Sequence, residues 1–424
     1  MRLCIFEDGR FSDLYPLTYT RPAFDLRCGR TRLYEKIARL FPGVVTTFFM
    51  RGYLEPLFKD RLEGAVTNDL DAIRGDDVLF VNGRALALKG TIMPPAEEVV
   101  ALRGDEIAYI YAKRETVGKL ISSSGMDELL KRLKAQLSQL STGVDLIGHP
   151  WDLVRNNPKA IVDDFESIDG RGVLGRMSPR AEIYGDAERV HVAESAEIHP
   201  FVVLDTHSGP IVIDGKAKVL PFSRIEGPCS IGSGSMIVRG NVREEVSIGP
   251  MCRIGGEIEA SIVHGYSNKY HTGFLGHAYV GEWVNIGALT TNSDLKNDYS
   301  TVDVYINGNL HDTGDTKVGS FIGDHTKLGI GCLLNTGTMV GVGCNLLGGE
   351  VLPKYIPSFT WFARGKISRG SGFRRTVEAE RRVMLRRDVE MSPSHVQMLQ
   401  HIYDETREDR ENLIKRGRGR SIPE

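Results

Sequence analysis

His271 sits in the string N-K-Y-H-T-G-F-L-G-H, with His264 shortly before it and His277 at the string's end. Imidazole is the side chain whose ordinary pKa lies near neutrality, so a histidine here could take or give a proton. His207, in L-D-T-H-S-G-P, reads as turn chemistry, and His325 reads as a solvated corner of a regular repeat. Six cysteines are scattered without a C-x-x-C pair, which argues against a zinc ribbon or a dithiol redox centre.

What must position these residues is a repeat of period six. Ile213, Val219, Ile225, Ile231 and Ile237 keep the spacing, as do Ile322, Leu328, Leu334, Val340 and Leu346. One position later comes Gly in many units, for example Gly249, Gly287 and Gly341, where the chain is expected to turn with a relaxed backbone. Four positions after the aliphatic residue the side chain is small, and Cys229, Cys252, Cys332 and Cys344 share that slot as small hydrophobes. Six residues make one strand and a corner, three such faces close a triangle, and coils stack at about 4.8 Å. The pattern predicts a left-handed parallel β-helix over residues 190–352, preceded by a linker at 166–189.

Deviations from a solenoid's repeat mark its binding face. The largest runs from Gly256 to Lys317, where the six-residue count through Ile262 and Phe274 places Asn268 and Asn292 at aliphatic positions. A buried amide without partners costs a few kcal/mol, on the order of 2–7, so both asparagines are expected to be held by specific hydrogen bonds. His271 falls on an outer corner between them. After Asn292 comes a polar excursion beginning S-D-L-K-N-D-Y.

Residues 267–292 resemble the acetyltransferase half of the bifunctional UDP-N-acetylglucosamine pyrophosphorylase / glucosamine-1-phosphate N-acetyltransferase family. The likeness rests on His271, Phe274, Gly276 and the run from Val280 to Asn292. It implies an acyltransferase in which His271 is the general base on a sugar amine and Asn292 binds substrate or orients the reacting group. It further implies acetyl-CoA as co-substrate, with Asn268, Lys269, Phe274 and His277 around the acyl acceptor or CoA. Two departures stand out: Phe274 replaces a tyrosine, and Glu259 stands near the place of a substrate-binding lysine.

Residues 1–165 alternate short apolar runs with helical stretches, such as Val78 to Val81 and Asp127 to Leu140, which predicts a Rossmann-like α/β layer with parallel strands. The string L-Y-P-L-T-Y-T-R-P at Leu14 to Pro22 resembles the sugar-phosphate nucleotidyltransferases. That resemblance implies a nucleoside triphosphate site with Mg2+ held by carboxylates at strand ends. Its expected members are Arg21, Arg27, Asn82 (in place of a metal-binding Asp), Trp151 and Asp152, with Asp163 and Asp164 as candidates to rebuild the metal site.

Residues 353–424 are expected to form a basic exit, in which Arg364 and Lys366 meet the CoA phosphates by resemblance, and then a helical tail. Ser392 and Pro393 read as an N-cap and first turn, with Val396, Leu399, Ile402 and Tyr403 on one face seeking a partner surface. The 424 residues are 41% hydrophobic and 25% charged with a net charge of −2, which excludes a globally basic nucleic-acid binder. No apolar run reaches the roughly 20 residues of a membrane span, so a cytoplasmic protein is expected. The resemblances imply a transferase of sugar-nucleotide biosynthesis acting on small molecules and assembled as a homotrimer, and neither nucleic acid nor membrane is expected as a partner. The alternative is nucleotidyl transfer alone, with the β-helix as an oligomerising scaffold.

Overall fold

A computed structural model describes residues 1–93, 95–121 and 125–416. The chain divides into two units, one of Met1–Leu14, Arg21–Leu26 and Thr31–His149, the other of Tyr15–Thr20, Arg27–Arg30 and the chain from Pro150 onward. The helix Pro150–Glu166, which the sequence placed in the first domain, belongs to the second unit.

The first unit is an α/β layer. Strands β1 (Arg2–Phe6), β2 (Thr46–Phe49), β3 (Val66–Thr67), β4 (Val78–Asn82), β5 (Val99–Arg103), β6 (Glu106–Ala112) and β7 (Gln139–Ser141) lie in the order β3-β2-β1-β4-β6-β5-β7. Helices α1 (Leu33–Arg39), α2 (Glu55–Arg61), α3 (Arg114–Leu120) and α4 (Met126–Gln136) connect them. β4 is buried along its whole length, as its unbroken V-L-F-V run requires. The sheet is mixed where parallel strands were expected, because β6 runs antiparallel to both β4 and β5. The chain order 3-2-1-4 reverses between β1 and β4, and in such sheets the crevice at the strand ends there is the usual ligand site.

The second unit is the left-handed parallel β-helix, with the helical tail after it. Its ladders stack three inward columns: Ile213, Ile231, Ile248, Val263, Val280, Ile322 and Val340 on one face; Val219, Ile237, Ile254, Lys269, Ile286 and Leu328 on the next; Leu204, Ile225, Val242, Ile258 and Leu275 on the third. All six cysteines are buried and free, and burial pushes the Cys252 and Cys344 thiols up to about 11 and about 12, so they are inert. Pairing starts at Arg176–Met177 and Glu182–Tyr184, inside the stretch expected as a linker, and continues past 352 to Trp361–Ala363.

The corners turn differently from expectation. Positive φ falls not on the repeat glycines but on the residue three past the inward aliphatic, as at Met251, Tyr266, Trp283, Leu289 and His325. The glycines are needed for close approach instead: a Cβ on Gly249 would lie 1.8 Å from the carbonyl oxygen of His264 in the next coil.

Helix α5 (Pro150–Glu166) lies against the first face, where Asn157 accepts from Ser247 Oγ at 2.8 Å and donates to the carbonyl of Glu245 at 2.7 Å. The tail forms α6 (Phe373–Leu385), α7 (Pro393–Glu405) and α8 (Arg407–Arg416). Ser392 Oγ caps α7 by accepting the His395 N–H, as its sequence foretold. The partner surface of α7 is the coil of its own chain. His395 Nε2 lies 2.9 Å from His325 Nε2, and Glu380 of α6 accepts from Lys327 and meets His325 Nδ1, both at 2.9 Å. His325, expected to be solvated, is therefore buried.

Candidate active site on the broken coil

Two polar residues interrupt the inward columns, and register decides which. Ile248 pairs with Val263 and Ile254 with Lys269, so the coil between them is short and the six-residue count runs one residue early. Val263, Lys269 and Leu275 point inward, not Ile262, Asn268 and Phe274. Asn268 is half-buried on the outside, where its Oδ1 accepts from Arg387 Nη2 at 2.7 Å. Phe274 is half-buried in register with Glu257.

Lys269 thus occupies a place that aliphatic residues fill in neighbouring coils, and it is 2% exposed. Its ammonium donates to the carbonyl of His271 at 2.8 Å and of Gly255 at 3.3 Å, which pins the corner bearing His271. Burial lowers its pKa to about 8. An unfolded lysine titrates near 10.4, so between about pH 8 and 10 the unfolded chain binds more protons and stability rises with pH. A Lys269→Met variant is expected to melt higher than the parent at pH 7 and to lose that rise. Melting curves of both proteins from pH 7 to 10 with parallel pH dependences would refute it.

Asn292 is the other interruption. It is buried, accepts the Gly276 N–H at 2.9 Å and donates to the Gly276 carbonyl at 2.8 Å and that of Ser293 at 3.2 Å. Its amide nitrogen is thus spent on two carbonyls of the coil, closing the third face. The hydrogen bonds required of a buried amide are present.

His271 and His277 stand at opposite ends of the strand Phe274–Gly276, on two different corners. His271 is exposed, with its ring edge-on to Tyr270 at 5.2 Å. His277, at φ +47°, holds Asp294 Oδ2 at 2.8 Å through Nδ1. Burial would push Asp294 up, but the hydrogen bond and charge of His277 hold it below the usual carboxylate range. Asp294 was missed in the sequence although it follows His277 by one coil, the spacing that stacks residues in this fold. Glu259, the reversed charge, is met by Arg243 at 2.5 Å and by Lys317 at 3.3 Å. The polar excursion thus returns a cation to the site. His277, Lys317, Glu245, Ala260, Trp151 and Arg155 line a cleft of about 310 Å³.

The nucleotide residues expected from the sequence are divided between the two units. Arg21 and Asn82 lie in the first unit; Arg27, Trp151, Asp152, Asp163 and Asp164 lie in the second. Arg27 is fastened to the coil, with its backbone N–H on Tyr279 Oη at 3.0 Å and its Nε on the His264 carbonyl at 3.2 Å. Trp151 packs on Phe321 at 6.3 Å, and Asp152 pairs with Arg155 at 3.4 Å. Asp163 and Asp164 are consecutive on α5, hence about 100° apart around the helix, with Asp164 fully buried. Among the described residues no group of three or more His, Cys, Asp or Glu could hold a metal ion. Arg364 and Lys366 flank an exposed hairpin tip, free to meet an anion. Among the described residues no helix is long and apolar enough to cross a membrane.

Residues 3–172 match the sugar nucleotidyl transferase family. Among curated proteins the chain is similar to the bifunctional protein GlmU of Wolbachia pipientis wMel, at 34% identity over 119 residues covering 26% of each chain. It is also similar to GlmU of Cupriavidus pinatubonensis, at 30% over 199 residues covering 39% of this chain and 43% of that one. The chain spans less than half the length of the curated relatives it matches. The UDP-N-acetylglucosamine acyltransferase of Campylobacter jejuni aligns over 55% of this chain and 97% of its own at 16% identity, with a TM-score of 0.27, too loose to add to the strand ladders above.

Proposed function

We propose, from the match of residues 3–172 to the sugar nucleotidyl transferase family, that this chain is a transferase of sugar-nucleotide metabolism whose coil moves an acyl group from CoA to an amino sugar phosphate or nucleotide-amino sugar. The observation that carries the reading is the exposed imidazole of His271 on a corner that a buried ammonium holds in place. His271 takes the proton from the sugar amine as its nitrogen attacks the thioester carbonyl, and the CoA thiolate leaves. Acetyl-CoA supplies the activated acyl group when bound. Arg364 and Lys366 are the residues that would hold its phosphates, since cations on an exposed turn pair well with that charge.

A second reading places the base at His277, because it is the imidazole already oriented by a carboxylate, Asp294. The two differ in which single replacement removes turnover. CoA-thiol release is measured with acetyl-CoA and a panel of amino sugar phosphates and UDP-amino sugars. Release with at least one acceptor is expected, and none with any acceptor or acyl chain would refute acyl transfer. Assembly around a threefold axis belongs to the same proposal. Light scattering is expected to report three chains, and a monomer at micromolar concentration would count against it.

A further inference from the structure

The first unit's resemblance implies a divalent cation at the ends of β1 and β4. The residues there do not fit one. Asp8, just past β1, receives Arg84 Nε on one oxygen at 2.9 Å and Arg84 Nη2 on the other at 2.6 Å. Asn82, at the end of β4, spends its Nδ2 on the same Asp8 carboxylate at 2.8 Å and on the Ile107 carbonyl at 2.9 Å. Arg84 Nη2 also bonds Glu106, and its Nη1 donates to the Ile147 carbonyl at 2.9 Å. Glu106 is bonded by Arg10 as well, and Glu7, just past β1, is gripped by Arg51 at 2.9 and 3.0 Å.

We infer that the Arg84 guanidinium takes the place of the metal at the switch point of this sheet, so that the first unit does not carry metal-dependent nucleotidyl transfer. The physical case is one of occupied ligands. Mg2+ is held by one or two carboxylates together with the substrate's phosphates. Here Asp8 is paired with the buried Arg84, and Glu106 is shared between Arg84 and Arg10, so both carboxylates are already matched by guanidinium groups that cannot exchange. Arg84 is wholly buried and every one of its nitrogens has a partner, so it does not reach out to a phosphate either. Burial alone would raise the Asp8 pKa, yet the hydrogen bonds and charge of Arg84 hold it below the ordinary range, so it stays an anion committed to that pair. What is left is a cleft of about 380 Å³ lined by Glu7, Asp8, Phe11, Arg51, Asn68 and Asp127. Of its acids, Asp127 alone is exposed.

The test uses the full chain. Pyrophosphate release is followed with UTP, N-acetylglucosamine 1-phosphate and Mg2+, and Mn2+ binding is followed by electron paramagnetic resonance. No release above the protein-free blank and no stoichiometric Mn2+ site are expected, while Arg84→Met, which releases Asp8 from its guanidinium and leaves Glu106 to Arg10 alone, gains Mn2+ binding by at least tenfold. Saturable Mg2+-dependent pyrophosphate release would overturn the inference. So would a Mn2+ site in the parent that Asp8→Asn removes. The first of these is read on the parent protein and the second on the parent and Asp8→Asn, so both stand even if Arg84→Met does not fold. CoA-thiol release, measured on the same preparation, keeps this result separate from the fate of the acyl-transfer reading.

Discussion

A His271→Ala variant is expected to lose acyl transfer by about 100- to 10,000-fold, the usual worth of a positioned proton acceptor, while melting as the parent does. The imidazole is exposed and meets the ring of Tyr270 edge-on, so truncation opens no cavity. Surface changes of this kind move stability by roughly 0.5 kcal/mol or less. The corner itself is pinned through the His271 carbonyl, which alanine keeps, so Lys269 still has its acceptor. The loss should therefore fall on kcat rather than on folding. Full turnover in His271→Ala together with a dead His277→Ala would transfer the base to the His277–Asp294 pair. Full turnover in both would remove His271 and His277 from the chemistry.

The largest stability effect is expected at Glu380. Its carboxylate is shared by Lys327 and His325 against a buried corner of the coil, and Lys327 is held there although burial lowers its pKa. Removing one member of a buried pair leaves the other charge uncompensated, at a cost of about 3–5 kcal/mol. Glu380→Ala should lower the melting temperature and open α6 and α7 to hydrogen exchange. Replacing both charges, as Lys327→Met with Glu380→Leu, should recover most of the loss. The pH dependence has a definite sign. Burial would raise Glu380, but Lys327 and His325 hold it below the ordinary glutamate value. Its contribution is thus present above the unfolded pKa near 4.3 and is lost as pH falls through the depressed one. A Glu380→Ala protein as stable as the parent at pH 7, or one whose acid midpoint does not move, would contradict this account.

The coil was legible because its period is enforced by sterics: each inward column takes one aliphatic per face, and six residues recur wherever the face and corner are regular. Counting failed where the coil is short. Between Ile248 and Val263 the lost residues shift the pattern by one, and a shift of one exchanges the inner and outer sets. Asn268 and Phe274 were thereby read as inward and Lys269 as outward. The Asp294 partner of His277 was within reach of the same counting. The docking of His395 on His325 was not, since no local pattern joins a tail helix to a coil corner far away in sequence.

By itself the sequence determined the β-helix, the burial of its cysteines, the capped helix at Ser392 and the stretch where the repeat breaks. Those follow from local periodicity and from side-chain size, which act between near neighbours. Only the tertiary structure decided that an ammonium lies in the core beneath His271, that Glu259 is answered by Arg243 and Lys317, and that Arg84 is paired with Asp8 at the ends of β1 and β4. Each is a charge whose energy depends on which carbonyls or opposite charges the fold brings within hydrogen-bond reach. In a low-dielectric interior that partner, rather than the residue's own type, sets whether the charge is held for structure or left free for chemistry.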